Sequence, residues 1–263
     1  ADYALVESQA RLLGEALTAN ASSGFTVHGL FGIFANGEKD TKGRKSLDYG
    51  QVKTRFMHSQ ICRMAERHPI QTVCEIGFNA GQSAVLFLES APNAKVISFD
   101  IGWIPGEAHE IPWTRQAAAW INGTYGARFE LVLGDSAVTI PRYQREHPDW
   151  RCDVVFVDGS KSFRGRLADV TNMQPVSRHR TRLFYDEVTQ QRCVDGSVDP
   201  ASEEWKGCKQ LNPGYEPATR AYTTAARSGT VEVLECDWTR GRFNGTDGIC
   251  MARFGRNATK TLN

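Results

Sequence analysis

Between residues 71 and 254, short apolar runs of β-forming residues alternate with stretches of helical periodicity. Thr72–Ile76, Lys95–Ile101, Arg128–Gly134, Cys152–Val157 and Arg182–Tyr185 read as buried strands, because near-continuous apolar runs suit a sheet covered on both faces. Between them Ser83–Leu88, Trp113–Ile121, Ala137–His147 (broken near Pro141) and Ser162–Met173 read as helices. Pro217–Ser228 is a further helix, with Pro217 in its first turn, Ala218, Ala221, Tyr222 and Ala225 at helical spacing, and Gly229 just past its end. Two strands, Thr230–Cys236 and Gly248–Phe254, follow with no helix between them. Strand–helix alternation implies a parallel sheet with helices on both faces, and the closing hairpin must insert one antiparallel strand.

Upstream, Tyr3–Leu17 has helical spacing, and Val52–Arg67 reads as a helix with Met57, Ile61, Met64 and Ala65 on one side, stopped by His68-Pro69. Residues 21–50 are rich in Gly, Ser and Lys, with a charged tip from Glu38 to Lys45; they read as a loop, either a solvated face or a lid. The expected organisation is an N-terminal extension, 1–50, before one domain, 51–263. No internal repeat is visible.

Composition adds exclusions. Thirty-one Lys and Arg against thirty Asp and Glu leave a net charge of +1, which implies no polyelectrolyte partner. No apolar stretch is long enough to span a membrane. Seven cysteines without a CxxC argue against a zinc site. Cys193 and Cys208 flank one loop and Cys236 and Cys250 a hairpin, so each pair can bridge in an oxidising compartment, leaving Cys62, Cys74 and Cys152 as thiols. Four Asn-x-Ser/Thr sequons (Asn20, Asn122, Asn244, Asn257) make the secretory pathway the alternative to a cytoplasmic default.

The richest chemistry lies in QTVCEIGFNAGQSAVLFL, residues 71–88: a strand, a turn bracketed by Gly77 and Gly81, and a helix start. Glycine lets the backbone approach a ligand, and the helix start offers unpaired N–H donors. Glu75-Ile-Gly77-x-x-x-Gly81 lacks the third glycine of a dinucleotide fingerprint. It resembles the first motif of the class I S-adenosylmethionine-dependent methyltransferases. The resemblance implies a Rossmann-like, doubly wound, seven-stranded, mostly parallel sheet with one antiparallel strand from the C-terminal hairpin. It also implies S-adenosylmethionine as cofactor, bound by Glu75, Gly77, Phe78, Asn79, Gly81 and Ser83. Asp100, 23 residues after Gly77, is placed for the ribose with Ile101 beside it. The turn Gly134-Asp135-Ser136 matches the adenine-contacting turn, and Asp158 completes the set.

Four acids (Asp100, Asp135, Asp158, Asp186) end four strands, where ligands bind in such sheets; singly, each also reads as a turn cap. Val155-Phe-Val-Asp158-Gly-Ser-Lys161 is similar to a stretch of the small-molecule O-methyltransferases that use a divalent cation, and Asp186-Glu187 stands where those have Asp-Asn or Asp-Asp. By that resemblance Asp158, Asp186 and Glu187 would ligate Mg²⁺ or Ca²⁺, hard cations that favour oxygen donors, and Lys161 would sit by the acceptor hydroxyl. Asp158 and Lys161 are thus the catalytic candidates, with His58 and His179 as alternative general bases. Trp103, His109, Trp113, Trp205 and Tyr215 are candidate pocket walls, or anchors of their own loops.

The expected function is methyl transfer to a small-molecule acceptor, most simply a hydroxyl oxygen, with neither nucleic acid nor membrane as partner; a monomer and a homodimer are both left open. The competing readings are a cofactor-binding module without catalysis and a nicotinamide-dependent oxidoreductase.

Overall fold

The strands are apolar on both sides, and each side finds its own cover. In a computed structural model, which describes residues 2–19, 49–102, 112–188, 191–211, 214–240 and 246–255, β1 (Thr72–Ile76), β2 (Lys95–Asp100), β3 (Phe129–Leu133), β4 (Cys152–Val157), β5 (Ser177–Val188), β6 (Val231–Arg240) and β7 (Thr246–Phe254) form one sheet in the order β3-β2-β1-β4-β5-β7-β6. Neighbours from β3 to β5 are parallel, and β7 runs antiparallel to both β5 and β6. This is the doubly wound sheet with an inserted antiparallel strand that the sequence implies.

Helices α1 (Tyr3–Ala19), α2 (Tyr49–Arg67), α3 (Gln82–Ser90) and α4 (Pro112–Tyr125) share one apolar cluster with Val73, Val154 and Phe156. Helices α5 (Ser136–Glu146), α6 (Phe163–Met173) and α8 (Glu216–Arg227) share the other with Ile76, Val155 and Val157. Alternate residues of β4 thus enter opposite clusters, which is why the strand reads as a continuous apolar run. Asp135 and Ser162 cap α5 and α6, accepting from the N–H of Ala137 and of Gly165.

Several boundaries differ from expectation. Helix α5 runs through Pro141, whose missing N–H removes one bond without ending the helix. A short helix, α7 (Trp205–Leu211), lies where a long loop is expected. Strand β5 begins at Ser177, five residues before Arg182, because the polar Arg178–Thr181 segment hides it. Helix α2 buries Lys53, Thr54 and His58 beside Met57 and Ile61, whereas Ala65 is exposed. The candidate lid, Trp103, His109, Asn20, Asn244 and Asn257 lie outside the described residues; Asn122 is exposed on α4. Among the described residues no helix is long and apolar enough to cross a membrane.

Cys193–Cys208 and Cys236–Cys250 are disulfides. The expectation that Cys74 and Cys152 are thiols is corrected: they form a third disulfide between β1 and β4, with Cα atoms 5.9 Å apart, and Cys62 is the free cysteine. A separation of 78 residues gives no hint of the pairing, which follows from the two strands being neighbours. Closing these loops stabilises by constraining the unfolded chain, by about 3 kcal/mol for each of the two short ones and about 4.5 kcal/mol for the long one. Peptide mapping of denatured, unreduced protein is expected to find these three linked pairs and a single alkylatable thiol at Cys62; alkylation of Cys74 or Cys152 would contradict the assignment.

Candidate active site

Two groups of residues meet where β1 and β4 lie side by side. At the first, the chain leaves β1 through Gly77, whose N–H donates to the Phe99 carbonyl (2.8 Å) while the Asp158 N–H donates to Ile76 (2.8 Å). Gly77 has φ +98°, and a Cβ there would overlap the Asp158 carbonyl, so only glycine fits. Gly81, at φ +82°, precedes the first turn of α3 with no side-chain cap.

Asn79 adopts φ 51°, a conformation Asn tolerates better than most residues. Its N–H donates to Asp100 Oδ2 (2.8 Å), and its side-chain oxygen accepts from Trp113 Nε1 (2.8 Å). Trp113 therefore clasps the turn. Asp100 Oδ1 accepts from the Gly102 N–H (2.7 Å), so both carboxylate oxygens are aimed by backbone donors and retain lone pairs for a diol. Ile101 follows directly, half-buried.

Glu75 lies beneath this turn, fully buried, and accepts hydrogen bonds from the hydroxyls of Ser83 and Ser98. Burial pushes its pKa up to about 7, against the two serine hydrogen bonds that favour the carboxylate. Glu75 and Ser83 thus join β1, β2 and α3 from below. Phe78 has its side chain fully buried, with its ring 5.3 Å from Phe129, which leaves its backbone to the turn. Gly134 follows β3 and donates to the Asp100 carbonyl (2.8 Å); Asp135 caps α5, and Ser136 Oγ donates to buried Asp169 (2.6 Å). These positions lie beyond the carboxyl ends of β1, β2 and β3.

The second group is ionic. Asp158 follows β4, while Asp186 and Glu187 end β5, where a bulge against β7 between Tyr185 and Val188 and φ 63° at Glu187 turn both side chains toward β4. Their partners are cations of the protein. Lys53, from α2, pairs with buried Asp186. Lys161 bridges Asp158 (2.8 Å) and Glu187 (2.8 Å). Arg166, fully buried on α6, meets Glu187 (2.6 Å) and the Val157 carbonyl (2.9 Å). Tyr222 donates to the Asp186 carbonyl (3.2 Å) beneath them.

Burial alone would raise Asp158, but Lys161, Lys53 and Arg166 outweigh it and hold it at about 2. Burial would lower Lys53 and Lys161, yet the neighbouring carboxylates push both above the ordinary lysine value. Glu187 is raised, by burial and by Asp158. Three anions and three cations balance.

The acids expected to ligate Mg²⁺ or Ca²⁺ are therefore brought together, but each already has a cationic partner. Among the described residues no group of three potential ligands has a metal-binding arrangement. The donor set as arranged does not fit a divalent ion. His58 and His179 are not brought to this cluster. His58 is buried with Nδ1 at 2.8 Å from Ser90 Oγ, at the far end of α3, and His179 is exposed at the amino end of β5. Trp205 anchors its own loop, packing by the Cys193–Cys208 bridge and donating to Glu216 (3.0 Å).

Sequence reasoning missed Lys53 and Arg166. The signal for Lys53 was its place four and eight residues before Met57 and Ile61, on the apolar side of α2; Arg166 likewise adjoins Leu167 on the inner side of α6.

Residues 74–188, from β1 to the end of β5, match the family described as methyltransferase domain. This segment holds every site residue above except Lys53 and Tyr222. Among solved structures, an O-methyltransferase from Bacillus cereus in complex with SAH is similar over 95% of this chain and 90% of that one, at 17% identity and TM-score 0.57. Cofactor-bound Rv0187 from MTB is similar over 95% and 89%, at 17% identity and TM-score 0.55. The O-methyltransferase TomG from Streptomyces achromogenes, in complex with SAM, is similar over 76% and 79%, at 18% identity and TM-score 0.54. No curated protein sequence matches the chain. Residues 74–188 thus resemble a methyltransferase domain, and the chain has the fold of these solved methyltransferase structures.

The buried Glu75 gives a pH signature. Its folded pKa, about 7, lies above the ordinary 4.5, so the folded state keeps a proton that the unfolded state releases. Its contribution is complete below about pH 4.5 and is lost as pH rises through about 7, up to about 3 kcal/mol in total. Urea unfolding at about pH 5 and about pH 8 is expected to show this loss in the native protein and not in Glu75→Gln. Asp169, also raised, remains in both proteins, so the difference isolates Glu75. An equal loss in both would contradict the assignment.

Proposed function

We propose that the protein transfers the methyl group of S-adenosylmethionine to a hydroxyl oxygen of a small-molecule acceptor seated against Lys161, Asp158 and Glu187. The observation that carries the reading is the contact of the two groups: Gly77 of the cofactor turn packs on the backbone of Asp158, the first acid of the ionic cluster. A methyl donor at this turn would therefore lie beside the charged group.

The residues present fit the cofactor. The close approach at Gly77, the start of α3 and the aimed carboxylate of Asp100 suit its amino-acid and ribose parts. S-adenosylmethionine supplies a methyl on a sulfonium sulfur, which leaves as a neutral thioether when an oxygen lone pair takes the carbon. The protein prepares that oxygen. Asp158, held ionised, keeps no proton itself and fixes Lys161 through their ion pair (2.8 Å). Lys161, whose side chain is 58% exposed, is the member of the cluster that reaches the open side, and its ammonium steadies the developing oxyanion. Glu187, the carboxylate with raised proton affinity, takes the proton. No step passes through a divalent ion. The Bacillus and Streptomyces proteins are named O-methyltransferases, which accords with an oxygen acceptor.

The test is transfer of an isotopically labelled methyl group to a panel of phenols and aliphatic alcohols, read by mass spectrometry. At least one acceptor is expected to gain the label at oxygen. Lys161→Ala should lower kcat roughly tenfold to a hundredfold with cofactor binding unchanged. The native rate should climb with pH as Glu187 ionises, above the ordinary carboxylate range, and Glu187→Gln should lose that limb. Label at nitrogen or carbon would contradict the oxygen reading. Cofactor binding with no transfer to any class of acceptor would leave a binding module.

A further inference from the structure

At the opposite end of the sheet, the amino ends of β1, β4 and β5 and the last turns of α2 enclose a cavity of about 600 Å³. Five arginines line it: Arg63 and Arg67 from α2, and Arg178, Arg180 and Arg182 from β5. None pairs with a carboxylate among the described residues. The acid on the lining, Asp153, is already engaged, with Oδ2 accepting the N–H groups of Gln71 (2.8 Å) and Thr72 (3.1 Å). The whole chain is nearly neutral, with thirty-one cationic residues against thirty anionic, so these arginines are a local excess. Arg67 answers the negative end of α2; the other four have no such role.

The cluster is also built rather than scattered. Cys152 pairs with Ser177 and Val154 with Arg182, so two steps along β4 face five along β5, and three extra residues bulge out. Fully buried Thr181 pins the bulge: its hydroxyl donates to the Cys152 carbonyl (2.5 Å) and accepts the Arg178 N–H (2.7 Å). Arg180 Nη1 sits 3.2 Å from His68 Nδ1, which ties the bulge to the end of α2. Arg182 is half-buried, and Nη1 donates to the Arg180 carbonyl (3.0 Å). Burial lowers its pKa, and the like charges of Arg253 and Arg67 lower it further. Such crowding of cations is relieved when an anion enters.

We propose that this cavity is a second binding site, for a small ligand carrying two or more phosphate or sulfate groups. Guanidinium groups hold the tetrahedral oxyanions bidentately, and several on facing walls favour a ligand with several anionic groups. The volume is that of an ordinary small-ligand pocket. A long polyanion would ask for a basic stripe across the surface, whereas these arginines converge on a concavity. The site lies at the far end of the sheet from Gly77 and Asp158, so its occupant is neither methyl donor nor acceptor.

The test is calorimetric titration of the whole protein at low ionic strength with sodium tripolyphosphate, with a disulfated disaccharide, and with a short single-stranded oligonucleotide. One of the two small polyanions is expected to bind at one site per chain, and which one separates phosphate from sulfate. The double variant Arg178→Ala, Arg180→Ala, both positions exposed, should weaken that binding by about tenfold or more. Arg63→Ala, on the opposite wall, should act in the same direction. S-adenosylmethionine binding should be unchanged in both, which shows that they fold. No binding of either small polyanion, or undiminished binding in the variants, would overturn the proposal. Binding of the oligonucleotide alone would overturn it in favour of an extended partner.

Discussion

A charge withdrawn from water costs several kcal/mol unless a partner of opposite sign meets it, and Lys53, Asp186 and Arg166 are all withdrawn in one cluster. That requirement fixes the arrangement of four segments. Helix α2 must bring Lys53 to the end of β5, α6 must bring Arg166 between β4 and β5, and the bulge at Glu187 must turn its carboxylate inward. Removing one buried member would leave its partner uncompensated, a loss of about 3–5 kcal/mol. Lys161 differs, because it is largely exposed and its ion pairs contribute little to stability. It is the cation the fold can most readily lend to a ligand.

The strand order places this cluster next to the glycine turn. Reading outward from β1, the chain proceeds through β2 and β3 to one side and through β4 and β5 to the other. The crevice of such a sheet opens where the order reverses, between β1 and β4. Gly77 and Asp158 are the first residues beyond those two strands, and their close approach is the seam of the crevice. On one side stand groups suited to a neutral or cationic nucleoside: Asp100 aimed by two backbone donors, and the turn at Gly134. On the other stand groups suited to ionising a hydroxyl. Glu75, with Ser83 and Ser98, braces the seam from within the core.

What was legible in the sequence followed from local pattern. Strands buried on both faces, the glycines at 77 and 81, and the acids at the strand ends are each visible within a few residues, and together they imply the fold. What was not legible depends on distant segments meeting. The Cys74–Cys152 bridge needs β1 and β4 to be neighbours. Lys53 looks like one more polar residue on a helix until Asp186 is seen opposite it, and without Lys53 and Arg166 the three acids resemble a metal site. Phe78 sits inside the motif yet its ring packs into the core on Phe129, a partner distant in sequence. The basic segment Arg178–Thr181 conceals the start of β5 because its bulge breaks the ladder that an apolar pattern would reveal.

The acids ending β4 and β5 are neutralised by the protein's own cations. The most direct measurement is the thermal unfolding midpoint of the purified protein, with and without S-adenosylmethionine, as Mg²⁺ and Ca²⁺ are raised into the millimolar range. A ligand that binds only the folded state raises the midpoint, and above its Kd the rise grows with the logarithm of its concentration. With Lys53, Lys161 and Arg166 holding the carboxylates, the midpoint should not move with either ion. A rise that grows with ion concentration and disappears in Asp186→Asn would contradict this neutralisation and return the cluster to a metal.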